Sequence, residues 1–178
     1  MSVEEATIDS QIDHAAAIRY WSATEATVSG VLGGFPQVSR IDLQGSSNFL
    51  AKLRRKAGIS AEHKLDRAVD CGAGIGRITD GLLCKHASVV DIVEPVVDYL
   101  KRLVPVLKEG GWIIVKENTG DQHAGVDIYD DTDSSITRTN AKLRSLFQQA
   151  GLKIILTEVQ RGMPKDLYVV QSYALQPI

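Results

Sequence analysis

Three glycines at alternate positions, in Asp70-Cys71-Gly72-Ala73-Gly74-Ile75-Gly76-Arg77, follow directly on the apolar run that begins at Arg67. Glycine lets a backbone turn sharply and bring its N–H groups against a ligand with no Cβ in the way. Glu94 ends the next apolar run, 22 residues beyond Gly72, where a carboxylate can accept hydrogen bonds from both hydroxyls of a ribose. Glycine spacing alone is a weak signal, and a turn that merely packs is the plain alternative. The order strand, turn, helix, strand, acid favours a nucleotide ligand. Arg77 stands where a dinucleotide motif has its third glycine, which disfavours NAD and offers a cation to a ligand carboxylate. S-adenosylmethionine (AdoMet) carries that carboxylate together with a sulfonium and has no pyrophosphate, so it fits the substitution better.

Other reactive side chains are less telling. Asn118 falls at the carboxyl end of an apolar run, where α/β folds hold ligands, but a buried Asn that satisfies nearby backbone reads equally well. Asp130-Asp131-Thr132-Asp133-Ser134-Ser135 taken alone reads as a solvated loop and helix cap, and Ile136 occupies the place where a calcium loop requires glycine. His14, His63, His86 and His123 have no metal-ligand spacing, and Cys71 and Cys84 form no C-x-x-C pair, so no metal site is expected. Ser134 and Ser135 lack the glycines of a nucleophile elbow. Tyr20 and Trp21 read first as core aromatics.

The elements that must position these groups follow from periodicity. Strands are predicted at 67–72, 88–94, 112–118, 153–160 and 168–175. Helices are predicted at 14–21, 46–56 with Ser46 or Ser47 as cap, 77–85, 95–109 and 140–150, and the glycine-rich stretch 27–36 reads as a loop. The first two strands and their helix form a right-handed parallel unit. The third strand, Trp112 to Asn118, is apolar enough to be central. The fold class is therefore α/β: a doubly wound, Rossmann-like sheet with N-terminal helices and a C-terminal antiparallel hairpin, in one domain over 1–178 with residues 1–60 as a helical cap.

Composition limits the partners. The chain has 178 residues, 44% hydrophobic and 24% charged, the balance of a folded globular domain. Its 20 Lys and Arg against 22 Asp and Glu give no overall cationic field, so no nucleic-acid partner is expected. Lys52 to Lys56 reads as a solvated helix face. No apolar run approaches a membrane span, and the first residues are polar and acidic, so no membrane partner is expected and the expected location is the cytoplasm, with the nucleus open.

Several blocks together resemble the protein α-N-terminal methyltransferases. They are Tyr20-Trp21, Leu32-Gly33-Gly34-Phe35, Asp70 to Thr79, Lys116-Glu117-Asn118, Asp130 to Ser135, and Tyr168 to Leu175, in the family's order over nearly the whole chain. The resemblance implies AdoMet-dependent methylation of the α-amine of proteins that begin X-Pro-Lys or X-Pro-Arg, ribosomal proteins among them, by a monomer. It implies that Gly72, Gly74 and Arg77 hold the methionine end of AdoMet, that Glu94, Pro95 and Val96 hold its ribose, and that Trp21 belongs to the cofactor site. By the same resemblance Asn118 and Asp133 are catalytic, Asn118 also gripping the substrate's first residues and Asp133 standing near the α-amine. Asp130, Ser135, Leu32 and Gly33 would shape and cover the substrate pocket.

The chain departs from that family after Glu94, where residues 95–109 leave room for one helix before Gly110. The family places there further strands and helices, about 45 residues by the size of the β/α units involved. The central strands are thus expected to be missing, leaving one edge of the first strand uncovered and Asp133 without the family's histidine partner. The alternative this raises is a pseudoenzyme that binds cofactor or peptide without turnover. A nicotinamide oxidoreductase is disfavoured by Arg77.

Overall fold

In a computed structural model, residues 8–93, 104–121 and 125–178 are described. Glu94, Pro95, Val96, most of the predicted helix 95–109, and His123 lie outside the described residues.

The N-terminal portion is helical. A short 3₁₀ turn, Ile8–Gln11, precedes α1 (His14–Ala23), which is capped by the Asp13 carboxylate accepting from the N–H groups of Ala15 and Ala16. The predicted loop at 27–36 contains one helical turn, α2 (Val28–Val31), capped by Thr27. Helix α3 (Ser39–Lys56) begins well before the predicted Ser46. Gly45 lies inside this helix against the Gln160 side chain, which would collide with a Cβ there and which donates to the Ile41 carbonyl at 3.0 Å. Gly58, at φ 71°, ends α3, and the Ile59 N–H returns to the Arg54 carbonyl at 2.9 Å.

Seven strands follow among the described residues. β1 (Leu65–Cys71) and β2 (Ala87–Val93) pair in parallel, as predicted, with Leu65 opposite Ala87 and Cys71 opposite Val93. Between them the predicted helix 77–85 is present: residues 77–86 are continuously helical, with a π-helical turn at Thr79–Leu83 running into the short α4 (Cys84–His86). Gly81 in that turn lies so close to Leu43 of α3 that a Cβ would stand 2.8 Å from its Cδ2. β3 (Ile113–Thr119), β7 (Val169–Pro177) and β6 (Leu152–Val159) form an antiparallel sheet in the order β3-β7-β6, and β4 (Ile128–Asp130) and β5 (Ser135–Thr137) form a hairpin. The terminal hairpin β6–β7 is as predicted.

Among the described residues no strand joins β1 to β3. One expectation is corrected: among those residues β3 is an edge of its sheet rather than central, and the central strand is β7, whose residues from Val170 to Leu175 are all buried. The reason lies in its covering. Phe49 and Leu53 of α3 pack with Ala174 on one face, while Leu143 and Phe147 of α5 (Asn140–Gln149) pack with Tyr173 and Leu175 on the other. The alternation of β7 thus serves two helical layers. Among the described residues the β1–β2 pair is less covered: Val69, Val89 and Ile92 are exposed.

This asymmetry fixes where stability resides. Phe147 is 1% exposed and meets Tyr173 edge-on at 5.1 Å, so Phe147→Ala is expected to cost about 3–5 kcal/mol. Val69→Thr on the exposed face of β1 is expected to stay within about 0.5 kcal/mol. Urea denaturation followed by circular dichroism measures both.

Candidate functional site

The glycine bend lies where β1 ends. Gly72, Gly74 and Gly76 adopt φ of 67°, 50° and 74°, values that favour glycine, so the alternation visible in the sequence is a backbone requirement. The bend is closed by side chains on both flanks. Thr79 Oγ1 donates to Asp70 Oδ2 at 2.6 Å, joining the last turn of β1 to the first helical turn after the glycines. Arg77 Nη2 donates to Asp42 Oδ2 of α3 at 2.6 Å.

Asp42 is the hub of the region. Its other carboxylate oxygen accepts from Lys116 of β3, which also donates to the Asp42 carbonyl at 3.0 Å and to Ser46 Oγ at 2.8 Å. Burial pushes the Asp42 carboxyl up, but the hydrogen bonds and charges of Lys116 and Arg77 together outweigh it and hold the group below its ordinary value. On Lys116 the balance runs the other way, burial lowering its pKa more than Asp42 restores it. A Lys within an apolar strand is the signal in the sequence for an internal acid; neither Asp42 nor the pairing of Lys116 with it, nor that of Asp70 with Thr79, is expected from the sequence.

Each residue expected at the site can now be placed. Gly72 faces open space, and Gly74 has only Val31 of α2 nearby, at 3.7 Å from where its Cβ would stand, so Leu32 and Gly33 follow directly from the turn beside the bend. Asn118 is exposed at the carboxyl end of β3, opposite Val170, two residues from Lys116 and therefore on the same face of the strand. Asp130 and Asp133 are not a helix cap. They lie at the β4–β5 turn, where Asp130 accepts from the Thr132 N–H at 2.9 Å and Asp133 from the Ser135 N–H at 3.1 Å. The cap of α5 is Thr139, whose Oγ1 accepts from the Lys142 N–H at 3.2 Å. Asp133 is half-buried, whereas Asp130 and Ser135 are exposed. Gly120, just past β3, donates to the Arg138 carbonyl at 3.0 Å and so roots this hairpin beside Asn118. Trp21 is 51% exposed, edge-on against Tyr20, and is not a core aromatic. No cluster of three metal-ligating side chains exists among the described residues.

Ser134 joins the N-terminal helices to this hairpin. It is buried with φ 55°, and its Oγ accepts from the Asp13 N–H at 2.6 Å at the start of α1. Arg138 Nη1 holds Asp9 Oδ1 at 2.7 Å nearby.

The depressed carboxyl of Asp42 has a consequence for stability. A carboxyl whose folded pKa lies below its unfolded one stabilises the fold when ionised, and that contribution is lost as pH falls through the folded value. The denaturation midpoint is therefore expected to fall as pH drops below the ordinary value of 3.8, and to fall less steeply in Asp42→Asn. Urea titrations of both proteins across the acid range read this; equal acid slopes would remove Asp42 from the account.

Comparison with known proteins agrees with this geometry. The family described as "AdoMet dependent proline di-methyltransferase" matches residues 9–99 and 95–176, in two segments that meet just after Glu94. The alpha N-terminal protein methyltransferase 1 of Schizosaccharomyces pombe is 33% identical over 215 residues, covering 90% of this chain and 94% of that protein. The N-terminal Xaa-Pro-Lys N-methyltransferase 1 of Xenopus tropicalis is 32% identical over 213 residues, covering 90% and 93%. Alignments of that length exceed the 178 residues of this chain, so the relatives carry residues that this chain lacks. A SAM-dependent methyltransferase of Leishmania major superposes with a TM-score of 0.74 at 28% identity, covering 97% of this chain and 87% of that one. A Burkholderia thailandensis N-methyltransferase, at a TM-score of 0.60 and 15% identity over 99% and 93% of the two chains, shares the fold alone. Despite its divided sheet, the chain has the Rossmann-like fold of AdoMet-dependent methyltransferases and belongs to the AdoMet dependent proline di-methyltransferase family.

Proposed function

We propose that this chain transfers a methyl group from AdoMet to the α-amine of proteins whose N-termini begin X-Pro-Lys or X-Pro-Arg. One observation carries the reading. The glycine bend faces open space at Gly72, and Arg77 Nη1 at its end is buried without a hydrogen-bond partner among the described residues. A backbone free to approach a ligand beside an unsatisfied cationic donor fits the amino-acid end of AdoMet. When bound, AdoMet supplies the electrophilic methyl of its sulfonium.

The chain's own residues have distinct tasks in this reading. Gly72 and Gly74 let backbone N–H groups approach the cofactor, and Arg77 offers Nη1 to its carboxylate. Glu94, Pro95 and Val96 are assigned to the ribose and Trp21 to the cofactor side of the N-terminal helices. Asn118, at the open end of β3, orients the first residues of the substrate. Asp133 accepts a proton from the substrate α-ammonium, whose ordinary pKa of about 7.7–8.0 requires that loss before its lone pair can attack. Asp133 accepts one hydrogen bond, from the Ser135 N–H, which fixes the carboxylate in the turn. Asp130, Ser135, Leu32 and Gly33 bound the Pro-Lys portion, and acidic side chains there favour a cationic third residue. The Xenopus tropicalis relative is named for an Xaa-Pro-Lys N-terminus, which supports this substrate class. The same reading takes ribosomal proteins as substrates of a monomer in the cytoplasm.

Incubation with AdoMet and an X-Pro-Lys hexapeptide, followed by mass spectrometry, tests the reading. Methyl additions are expected on the free peptide and none on its N-acetylated form. Asp133→Asn is expected to slow the reaction by about 100-fold or more. Binding of cofactor with no methyl addition to the free peptide would replace this reading with the pseudoenzyme.

A further inference from the structure

Asp42, Arg77 and Lys116 come from three separate elements and meet in one buried cluster, their side chains 12%, 16% and 19% exposed. The cluster holds two cations and one anion. Arg77 Nη2 and Lys116 share the Asp42 carboxylate, while Arg77 Nη1 is buried with no partner among the described residues. One positive charge and its N–H donors are therefore left over in a region that disfavours unpaired charge. An anion approaching along the glycine bend, which Arg77 follows directly in sequence, would complete the set.

We propose that Asp42 is a positioning residue for the carboxylate end of the cofactor. It grips one edge of the Arg77 guanidinium, so that the other edge, Nη1, is turned toward the incoming carboxylate. Lys116 neutralises Asp42, so that this second acid does not repel the ligand. Since Lys116 sits two residues before Asn118, the same cluster ties the cofactor end of the site to the strand that carries Asn118. The proposal rests on the reading that the bend binds AdoMet.

Its sign differs from that of simple electrostatics. If Asp42 acted on the ligand only through its charge, removing that charge would tighten binding of an anionic group. If Asp42 orients Arg77, removing it frees the guanidinium and weakens binding. Calorimetric titration of the wild-type chain, Asp42→Asn and Asp42→Glu separates these outcomes. The two probes are S-adenosylhomocysteine and 5′-methylthioadenosine, which has the same nucleoside and a thioether but no amino-acid end.

Asp42→Asn is expected to bind S-adenosylhomocysteine about tenfold more weakly, the size of one lost charge-assisted hydrogen bond. Methylthioadenosine affinity is expected to be unchanged. Asp42→Glu keeps the charge but moves it by one methylene, and is expected to show the same selective loss. Should Asp42→Asn fail to unfold cooperatively, Asp42→Glu alone decides. Affinity for S-adenosylhomocysteine that is unchanged or tighter, or an equal loss for both ligands, overturns the positioning role. Failure of the wild-type chain to bind either probe is a different result, and overturns the cofactor reading together with the proposal.

Discussion

The reversal of the chain between β1 and the helix after it depends on backbone that only glycine adopts readily, held closed by side chains anchored elsewhere. Gly72, Gly74 and Gly76 supply the left-handed angles, at φ between 50° and 74°. Such a bend has no internal stiffness, because glycine carries the largest conformational freedom to be lost. Rigidity comes from Asp70 with Thr79 on one flank and from Asp42 with Arg77 on the other. A site built this way can bring backbone donors against a ligand and still keep its shape. It also makes α3 part of the functional apparatus, because its fourth residue, Asp42, positions the end of the bend.

The same helix has a second task, and the two together explain why the divided sheet still forms a site. On one side α3 covers the β3-β7-β6 sheet through Phe49 and Leu53; toward the glycine bend it meets Gly81 through Leu43 and Arg77 through Asp42. β1 and β3 are not paired with each other, yet both are referred to α3. The relatives' alignments run over more residues than this chain has, the family match divides into two segments near Glu94, and Val69, Val89 and Ile92 on β1 and β2 are exposed.

What the sequence disclosed, and what it withheld, follows from the range of each interaction. The bend was legible because its chemistry is local: glycines, strand end and Arg77 fall within eight consecutive residues. β1, β2, β6 and β7 were legible because apolar runs bounded by turn residues specify strands without reference to partners. Asp42 was not, since its partner Lys116 is 74 positions away and the helix that carries it was given too late a start. The central place of β7 was equally hidden. Its polar Gln171 and Ser172 are both buried in the folded chain, Gln171 Nε2 donating to Thr157 Oγ1 at 2.8 Å. The acidic turn at Asp130 to Ser135 was misread as a cap because Asx turns and helix caps use the same residue types.

The central claim is that the bend from Cys71 to Arg77 receives the amino-acid end of AdoMet. A crystal structure of the chain with S-adenosylhomocysteine tests it most directly. The account expects ligand density along Gly72 to Gly76, with the carboxylate within hydrogen-bond distance of Arg77 Nη1 and the Arg77–Asp42 pair intact. Density elsewhere, or the space beside Gly72 filled by protein side chains with Arg77 Nη1 bound to protein, would contradict it.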